Sequence, residues 1–233
     1  KSMTARILKL GDLIALRFSS KLLFHSKSDL DRFTKREAKL VRKSNLLYPS
    51  PPPDLFFYSP SSRKLRDVIF FGGFDLVHGP ETVISAARQL QDLGVTFTFV
   101  GTGRFDVSKH VRDLDNVEHI PWVPFEELGP IISEHKISLG NFGLSEKARS
   151  GFPNKVIESL RVGVPVVTTS VEISARFPGS GVVFVPPADH VELSQKIKEI
   201  VQDPKKLHKL QEQAKDFVSN SGSDEAICEK ANL

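Results

Sequence analysis

One stretch of this chain combines groups that can hold an anion with a carboxylate one helical turn later. It reads Ser-Gly-Phe-Pro-Asn-Lys-Val-Ile-Glu at 150–158. Pro153 suits the first position of a helix, and the free backbone N–H groups at such a start attract phosphate. Lys155 adds a mobile positive charge, and the carboxylate of Glu158 can accept two hydrogen bonds from a ribose diol. This spacing predicts a site for a nucleoside diphosphate. The plainer interpretation is a capped helix with an exposed glutamate.

A second candidate is the glycine-rich segment Gly-Gly-Phe-Asp-Leu-Val-His-Gly at 72–79. Gly72 and Gly73 permit a positive φ and close approach of a ligand, and His78 stands just before a predicted helix start, where anions bind. The segment resembles the phosphate-handling turn of cytidylyltransferases, but it lacks the second glycine and the second histidine of that motif. A tight turn with a surface histidine remains the alternative.

A third candidate is the turn Gly-Thr-Gly at 101–103. Gly101 and Gly103 could begin a dinucleotide fingerprint, G-x-G-x-x-G, but Asp106 stands where the third glycine should be. The pattern of a P-loop is absent from the sequence as well. The sequence therefore disfavours a nicotinamide cofactor and predicts no cofactor of any kind. A plain strand-to-helix turn is the alternative.

These segments follow apolar strands that alternate with helices after residue 66. Strands are predicted at 67–72, 95–101, 116–120, 136–142, 164–169 and 181–186. Helices are predicted at 80–93, 105–113, 124–134, 153–162 and 189–202, with a helical turn near 171–176 and a basic helix at 205–219. This alternation predicts an α/β fold with a doubly wound, Rossmann-like parallel sheet, in which ligands bind at the carboxyl ends of the strands.

The first fifty residues predict part of a separate body. A helix is expected at 3–18, a strand at 21–26, a helix at 28–43 and a strand at 45–48. The run Pro-Ser-Pro-Pro-Pro at 49–53 cannot continue a helix or a central strand. The predicted organisation has a remnant of a second Rossmann-like domain at 1–52, a linker at 53–66, a ligand-binding domain at 67–204, and a helix with a tail at 205–233.

Composition excludes several classes of protein. The single cysteine, Cys228, excludes an internal disulfide and a cysteine-based zinc site, and no metal site is predicted. No apolar run is long enough to span a membrane, and no signal peptide is recognisable, so a cytoplasmic protein is expected.

Charge is divided unevenly along the chain. Residues 1–66 contain 15 Lys and Arg against 5 Asp and Glu, whereas residues 67–233 contain 17 against 23. The basic segment fits either a solvated surface or peripheral contact with the anionic inner face of a membrane, where a lipid-linked acceptor could sit. Nucleic acid is not an expected partner, because the segment has no recognition motif.

The order of these motifs resembles a known family. The run at 139–169, with the elements at 116–128 and 181–204, resembles the signature of the retaining glycosyltransferase family 4, which has the GT-B fold. The resemblance covers 67–204 well, and more weakly it extends to 3–48, which is similar to the end of the first domain of that fold. It implies that the chain is the C-terminal, donor-binding half of such an enzyme.

The resemblance assigns roles to single residues. Glu158 matches the second acid of the E-x7-E motif of the family, which holds the ribose, whereas Ser150 replaces the first acid, which meets the donor sugar. Gly73 and His78 stand where the family often has an arginine and a lysine that clasp the diphosphate. Positive charge would then come from His78, Lys147, Arg149 or Lys155.

The resemblance also covers five further positions. Gly151, Phe152 and Pro153 match a loop of the family whose backbone touches sugar and phosphate. Trp122 and Val123 match residues that surround the base. The predicted donor-binding residues are Gly72, Gly73, His78, Gly101, Gly103, Trp122, Val123, Lys147, Ser150, Gly151, Phe152, Pro153, Asn154, Lys155 and Glu158.

The implied activity is transfer of a sugar, with retention and without a metal, from a UDP- or GDP-linked donor to an acceptor hydroxyl. The implied acceptor is a glycan or a lipid-linked glycan in glycan or polysaccharide biosynthesis. The catalytic residues are expected in the missing N-terminal half, so this chain alone is expected to be inactive. Two alternatives stay open: a sugar-nucleotide epimerase, and a non-catalytic nucleotide-binding or interaction domain that kept the fold.

Overall fold

A computed structural model of the chain describes residues 11, 14–47, 51–58, 65–145, 148, 153–169 and 179–220. Of the helix predicted at 3–18, residues 11 and 14–18 are described, and they are helical. The helical turn predicted near 171–176 and the tail from residue 221 lie outside the described residues. No helix in the described ranges is long and apolar enough to cross a membrane.

The first body contains two short parallel strands, β1 (Leu22–Phe24) and β2 (Ser44–Leu46), joined through helix α1 (Lys27–Arg36). The single helix predicted at 28–43 is divided in two, because the backbone leaves helical geometry at Glu37 and continues as a 3-10 helix, Ala38–Lys43. The break lets the ammonium of Lys43 donate to the carbonyls of Leu16 and Ser19, the latter at 2.8 Å. A long-range contact therefore holds the chain after the break.

The second body is built on one parallel sheet of six strands. The strands are β3 (Arg66–Phe71), β4 (Phe97–Val100), β5 (Val117–Ile120), β6 (His135–Leu139), β7 (Val166–Thr168) and β8 (Val182–Phe184). Their order across the sheet is β5-β4-β3-β6-β7-β8. This is the order of a doubly wound Rossmann-like sheet, so the predicted fold class is confirmed.

Helices cover both faces of this sheet, which explains why the central strands bury apolar side chains on both faces. The helices are α2 (Pro80–Gln89), α3 (Val107–His110), α4 (Phe125–Ser133), α5 (Asn154–Arg161), α6 (His190–Gln202) and α7 (Pro204–Asn220). On one face, Phe70 of β3 packs with Val83 of α2 and Ile197 of α6. On the other face, Ile69 of β3 packs with Ile132 of α4. Each face of β3 therefore has its own buried cluster.

Part of the predicted linker packs firmly against the second body. In the described stretch 51–58, Phe56 is buried and its ring lies 5.3 Å from that of Phe125. A Cβ added to Gly129 of α4 would lie 2.2 Å from the carbonyl oxygen of Leu55. Only a glycine lets α4 approach this stretch so closely.

The predicted boundaries differ from the structure by one to three residues at most ends, and one helix is much shorter than predicted. The helix expected at 105–113 spans only Val107–His110. Phe105 is held in the turn before it, where its N–H donates to the carbonyl of Phe74 at 3.0 Å. After α3 the chain makes a turn in which Leu114 donates to Val111 at 3.0 Å.

Candidate donor site

A cavity of about 430 Å³ lies at the carboxyl ends of β3 and β6, where it meets the first body of the chain. These two strands are neighbours, and the chain leaves them toward opposite edges of the sheet. This is the switch point at which doubly wound sheets bind their ligands. The lining residues are His25, Asp29, Phe71, Gly72, Asp75, Val77, His78, Leu128, Asn141, Pro153, Asn154, Lys155 and Glu158.

The loops that follow β3 and β6 are joined by backbone hydrogen bonds beside the cavity. Phe142 donates to the carbonyl of His78 at 3.0 Å, and Gly143 donates to that of Val77 at 3.2 Å. Gly79 lies against this junction with a φ of 65°, and a Cβ there would stand 2.7 Å from the carbonyl carbon of Phe142. The absence of a side chain at 79 therefore allows the two loops to meet.

Gly79→Ala is expected to lower the free energy of unfolding by about 2–4 kcal/mol, because a left-handed alanine and a backbone clash both cost energy. Gly94→Ala is the matched control: its φ is 69°, but nothing lies within 4 Å of the added Cβ, so only about 1 kcal/mol is expected. Urea denaturation of both variants measures the difference. Equal losses would show that the junction tolerates a methyl group.

Asp75 organises the turn after β3. Its Oδ1 accepts hydrogen bonds from the N–H groups of Val77 at 2.9 Å and of His78 at 3.3 Å. The same oxygen lies 3.0 Å from Nδ1 of His78, and both side chains line the cavity. A protonated His78 would therefore be paired with Asp75 at the edge of the site.

Lys155 is the most unusual group in the cavity. Its side chain reaches from the first turn of α5 to β3, where Nζ lies 4.7 Å from the ring centroid of Phe70. The residue is only 6% exposed, and Nζ contacts no hydrogen-bond acceptor among the described residues. The mobility predicted for this positive charge was wrong, because α5 turns the buried side chain toward the apolar end of β3. An anion in the cavity would give the ammonium the partner that it lacks.

Burial shifts the protonation of Lys155 and Glu158 in opposite directions. Loss of water lowers the pKa of Lys155 to about 7, although the charges of Glu158 and Asp75 partly oppose the shift. Loss of water also raises the pKa of Glu158 to about 7, against the influence of Lys155. A bound group that supplies negative charge to the lysine and hydroxyl donors to the glutamate would favour the charged form of both.

Asn141 offers a further unmet polar atom in the cavity wall. The residue is 6% exposed, and its Oδ1 has no hydrogen-bond partner in the described part of the chain. Its backbone is fixed between strands, since its carbonyl accepts a hydrogen bond from Oγ1 of Thr169 at 2.9 Å. The backbone of residue 141 is therefore fixed in the cavity wall, where Oδ1 of its side chain can meet a polar ligand.

Six of the predicted donor-binding residues line the cavity, and five others do not. Those that line the cavity are Gly72, His78, Pro153, Asn154, Lys155 and Glu158. Those outside its lining are Gly73, Gly101, Gly103, Trp122 and Val123. Lys147, Ser150, Gly151 and Phe152, as well as Arg149, lie outside the described residues. Their predicted contacts with a donor therefore stay predictions.

The two residues predicted around the base are placed differently from one another. Trp122 is 76% exposed, whereas Val123 is partly buried against the cluster beneath α4. Leu128 of α4 lines the cavity instead. It could not be recognised in the sequence, because one apolar residue in an amphipathic helix carries no sign of the ligand side.

Sequence reasoning also missed other polar residues of the cavity. Asp75 and Asn141 follow predicted strands, so the rule that ligands bind at strand ends could have identified them. His25 and Asp29 belong to the first body, more than 100 residues before α5, and no local pattern connects them with it. Their position depends on how the two bodies meet.

Residues 54–217 match the family model described as glycosyl transferases group 1. The match includes the six-stranded sheet and every cavity residue except His25 and Asp29. No curated protein matches this chain significantly.

Solved structures share the fold at low sequence identity. HepE from Anabaena in complex with UDP-glucose superposes with a TM-score of 0.76 at 16% identity, covering 97% of this chain and 66% of HepE. Sucrose-phosphate synthase from Thermosynechococcus elongatus gives 0.71 at 19% identity over 93% of this chain and 58% of its own. TarM from S. aureus, in a complex that contains UDP, superposes with a TM-score of 0.75 at 13% identity, covering 93% of this chain and 44% of TarM. The present chain spans 63% of the length of HepE as solved in complex with UDP.

Proposed function

Since this chain belongs to the group 1 glycosyltransferases, we propose that its cavity binds a nucleoside diphosphate sugar and provides the donor side of glycosyl transfer. The observation that carries the proposal is the buried ammonium of Lys155, which has no acceptor among the described residues and lines a cavity at the switch point of the sheet. A diphosphate supplies the negative charge that this group lacks.

The geometry suggests how the donor is held. The start of α5 and Lys155 take the diphosphate, because free N–H groups and a desolvated cation both favour an anion. Glu158, one helical turn later, accepts hydrogen bonds from the ribose hydroxyls. Leu128 offers an apolar wall, and a UDP- or GDP-linked sugar is the proposed donor.

The same groups would assist the chemical step. In transfer, the bond between the anomeric carbon and a β-phosphate oxygen breaks, and the negative charge of the leaving diphosphate grows. A cation and backbone donors that are already in place stabilise this charge without reorganisation and without a metal. We propose retention at the anomeric carbon, an acceptor hydroxyl on a glycan or lipid-linked glycan, and contact of the basic first body with a membrane surface.

The chain corresponds to less than two thirds of HepE in its UDP complex. Binding of the donor, rather than complete turnover, is therefore the activity that we propose for this chain by itself.

A thermal-shift panel of UDP, GDP and ADP tests the proposal. At a concentration 100 times its Kd, the correct nucleoside diphosphate should stabilise the chain by about 2.7 kcal/mol. For a chain of this size the melting temperature should rise by roughly 5–10 °C. The matching nucleosides, which lack the diphosphate, should give much smaller shifts, because they leave Lys155 unpaired.

The panel also separates this proposal from a non-catalytic interaction domain that has lost its ligand. Stabilisation by none of the three diphosphates at millimolar concentration would refute a working nucleotide site. Equal shifts from inorganic pyrophosphate and from every nucleotide would show an anion site that does not recognise the nucleoside.

A further inference from the structure

The cavity has two walls that differ in chemistry. The wall formed by α5 and the loop after β3 carries Lys155, with the carboxylates of Glu158 and Asp75 acting on its charge. The facing wall comes from the first body, where His25 follows β1 directly and Asp29 lies in the first turn of α1. The first wall suits an anion, and the second has no lysine or arginine among its described lining residues.

The carboxylate of Asp29 is half-exposed, and its Oδ1 lies 3.8 Å from the guanidinium of Arg32. Its Oδ2 accepts a hydrogen bond from Oγ of Ser26 at 2.9 Å, and its own N–H donates to the same hydroxyl oxygen at 3.1 Å. Ser26 is buried and caps α1. A carboxylate offers about four acceptor positions, so this one can still accept hydrogen bonds from a ligand.

A carboxylate discriminates between the two ends of a nucleoside diphosphate sugar. It repels the diphosphate, but it accepts hydrogen bonds well from neighbouring hydroxyls, and bonds to a charged acceptor are the stronger kind. His25 and Asp29 lie at the end of β1 and in the first turn of α1, whereas Lys155 and Glu158 lie on α5. The part of the cavity beside Asp29 is therefore built by other elements than the part beside the ammonium.

We propose that Asp29, with His25 beside it, forms the subsite for the transferred sugar, so that the first body of this chain contacts the donor directly. This inference rests on the proposed function. The carboxylate of Asp29 accepts hydrogen bonds from sugar hydroxyls, while the imidazole of His25 forms the adjoining wall. Donor recognition is then shared between residues 25–29 and α5, which also explains why the cavity spans both bodies.

The test compares Asp29→Asn with the wild-type chain. Affinities are measured by calorimetry for UDP, GDP and ADP and for their glucose and N-acetylglucosamine esters. The variant should bind the sugar esters roughly 10- to 100-fold more weakly, as expected for hydrogen bonds to a charged group, and the free diphosphates within about twofold of wild type. Asparagine keeps the shape of the side chain, and Ser26, the residue that caps α1, is unchanged, so folding should be preserved.

A matched control lies on the same helix. Asp31 pairs with Lys27 at 2.6 Å on the surface of α1 and does not line the cavity. Asp31→Asn should leave both sets of affinities unchanged, and melting curves verify the fold of both variants. His25→Ala, a second variant outside the helix, should also reduce affinity for the esters and not for the diphosphates.

Three outcomes are distinguishable. A selective loss of ester binding in Asp29→Asn supports the sugar subsite. Wild-type affinity of Asp29→Asn for every ester, with nucleotide binding intact, would overturn this inference and leave the proposed function standing. Absence of nucleotide binding in the wild-type chain would overturn both.

Discussion

Lys155→Met is expected to weaken binding of the nucleoside diphosphate by about 1.5–3 kcal/mol, roughly 10- to 150-fold. Methionine has nearly the same length and flexibility, so the variant removes the charge and retains most of the volume. The loss should be large because Nζ is buried and contacts no other acceptor in the described structure.

Lys155 is 6% exposed, so water screens its charge little. Isothermal titration calorimetry with the nucleotide of the panel that binds best measures the loss of affinity.

The same variant should be more stable than the wild type in the absence of ligand. Burial lowers the pKa of Lys155 to about 7, so the unfolded chain binds this proton more tightly than the folded chain does. At and below neutral pH the charged lysine therefore costs stability, and the cost disappears as the pH rises toward the ordinary pKa of a lysine. Replacing it by an apolar residue should raise the free energy of unfolding at pH 7 by about 1–4 kcal/mol.

An increase in the stability of Lys155→Met together with a loss of affinity would rule out misfolding as the cause of lost binding. Lys198→Met, at an exposed lysine of α6, is the control and should alter neither property. A Lys155→Met variant that binds nucleotide as tightly as the wild type would show that the diphosphate lies elsewhere. A variant that is both less stable and unable to bind would contradict the assignment of an unpaired buried charge.

Glu158→Ala is expected to weaken nucleotide binding by about 1–3 kcal/mol, roughly 5- to 150-fold, because hydrogen bonds to a charged group are lost. The contact proposed for this carboxylate is the ribose diol, so a 2′-deoxy nucleotide provides a direct check. Wild-type protein should bind the deoxy form more weakly than the ribose form, whereas Glu158→Ala should bind both equally. These four affinities, of two proteins for two nucleotides, form a thermodynamic cycle that isolates the interaction between the carboxylate and the hydroxyl.

The difference in affinity between the ribose and the 2′-deoxy nucleotide should also depend on pH, which tests the role of Glu158 independently. Burial raises the pKa of Glu158 to about 7, so the ionised form that accepts hydrogen bonds becomes scarcer as the pH falls below 7. The preference for the ribose form should therefore be greater at pH 8 than at pH 6, and titration of the phosphates cancels in the comparison. Glu127→Ala, an exposed acid of α4, should preserve the preference. A preference that survives Glu158→Ala would place the ribose against another residue.

Much of the second body could be predicted from local sequence alone. Strand β3 carries Val68, Ile69 and Phe70 in succession, and such an apolar run followed by glycines indicates a strand buried on both faces that ends at a ligand edge. The start of α5 could be predicted for the same kind of reason, since Pro153 and the following Asn-Lys-x-x-Glu pattern lie within one turn. Interactions between residues a few positions apart determine these features, and the sequence displays them directly.

The tertiary structure alone decided the protonation of Lys155 and Glu158 and which residues line the cavity. Lys155 was predicted as a mobile positive charge, but its environment depends on the ring of Phe70, 85 positions earlier in the chain, which β3 places beneath α5. Asp29 and Glu158 line one cavity only because the first body meets the carboxyl edge of the sheet. Helical and strand periodicity reports which side of an element is buried, whereas desolvation and charge in a cleft depend on which distant elements enclose it.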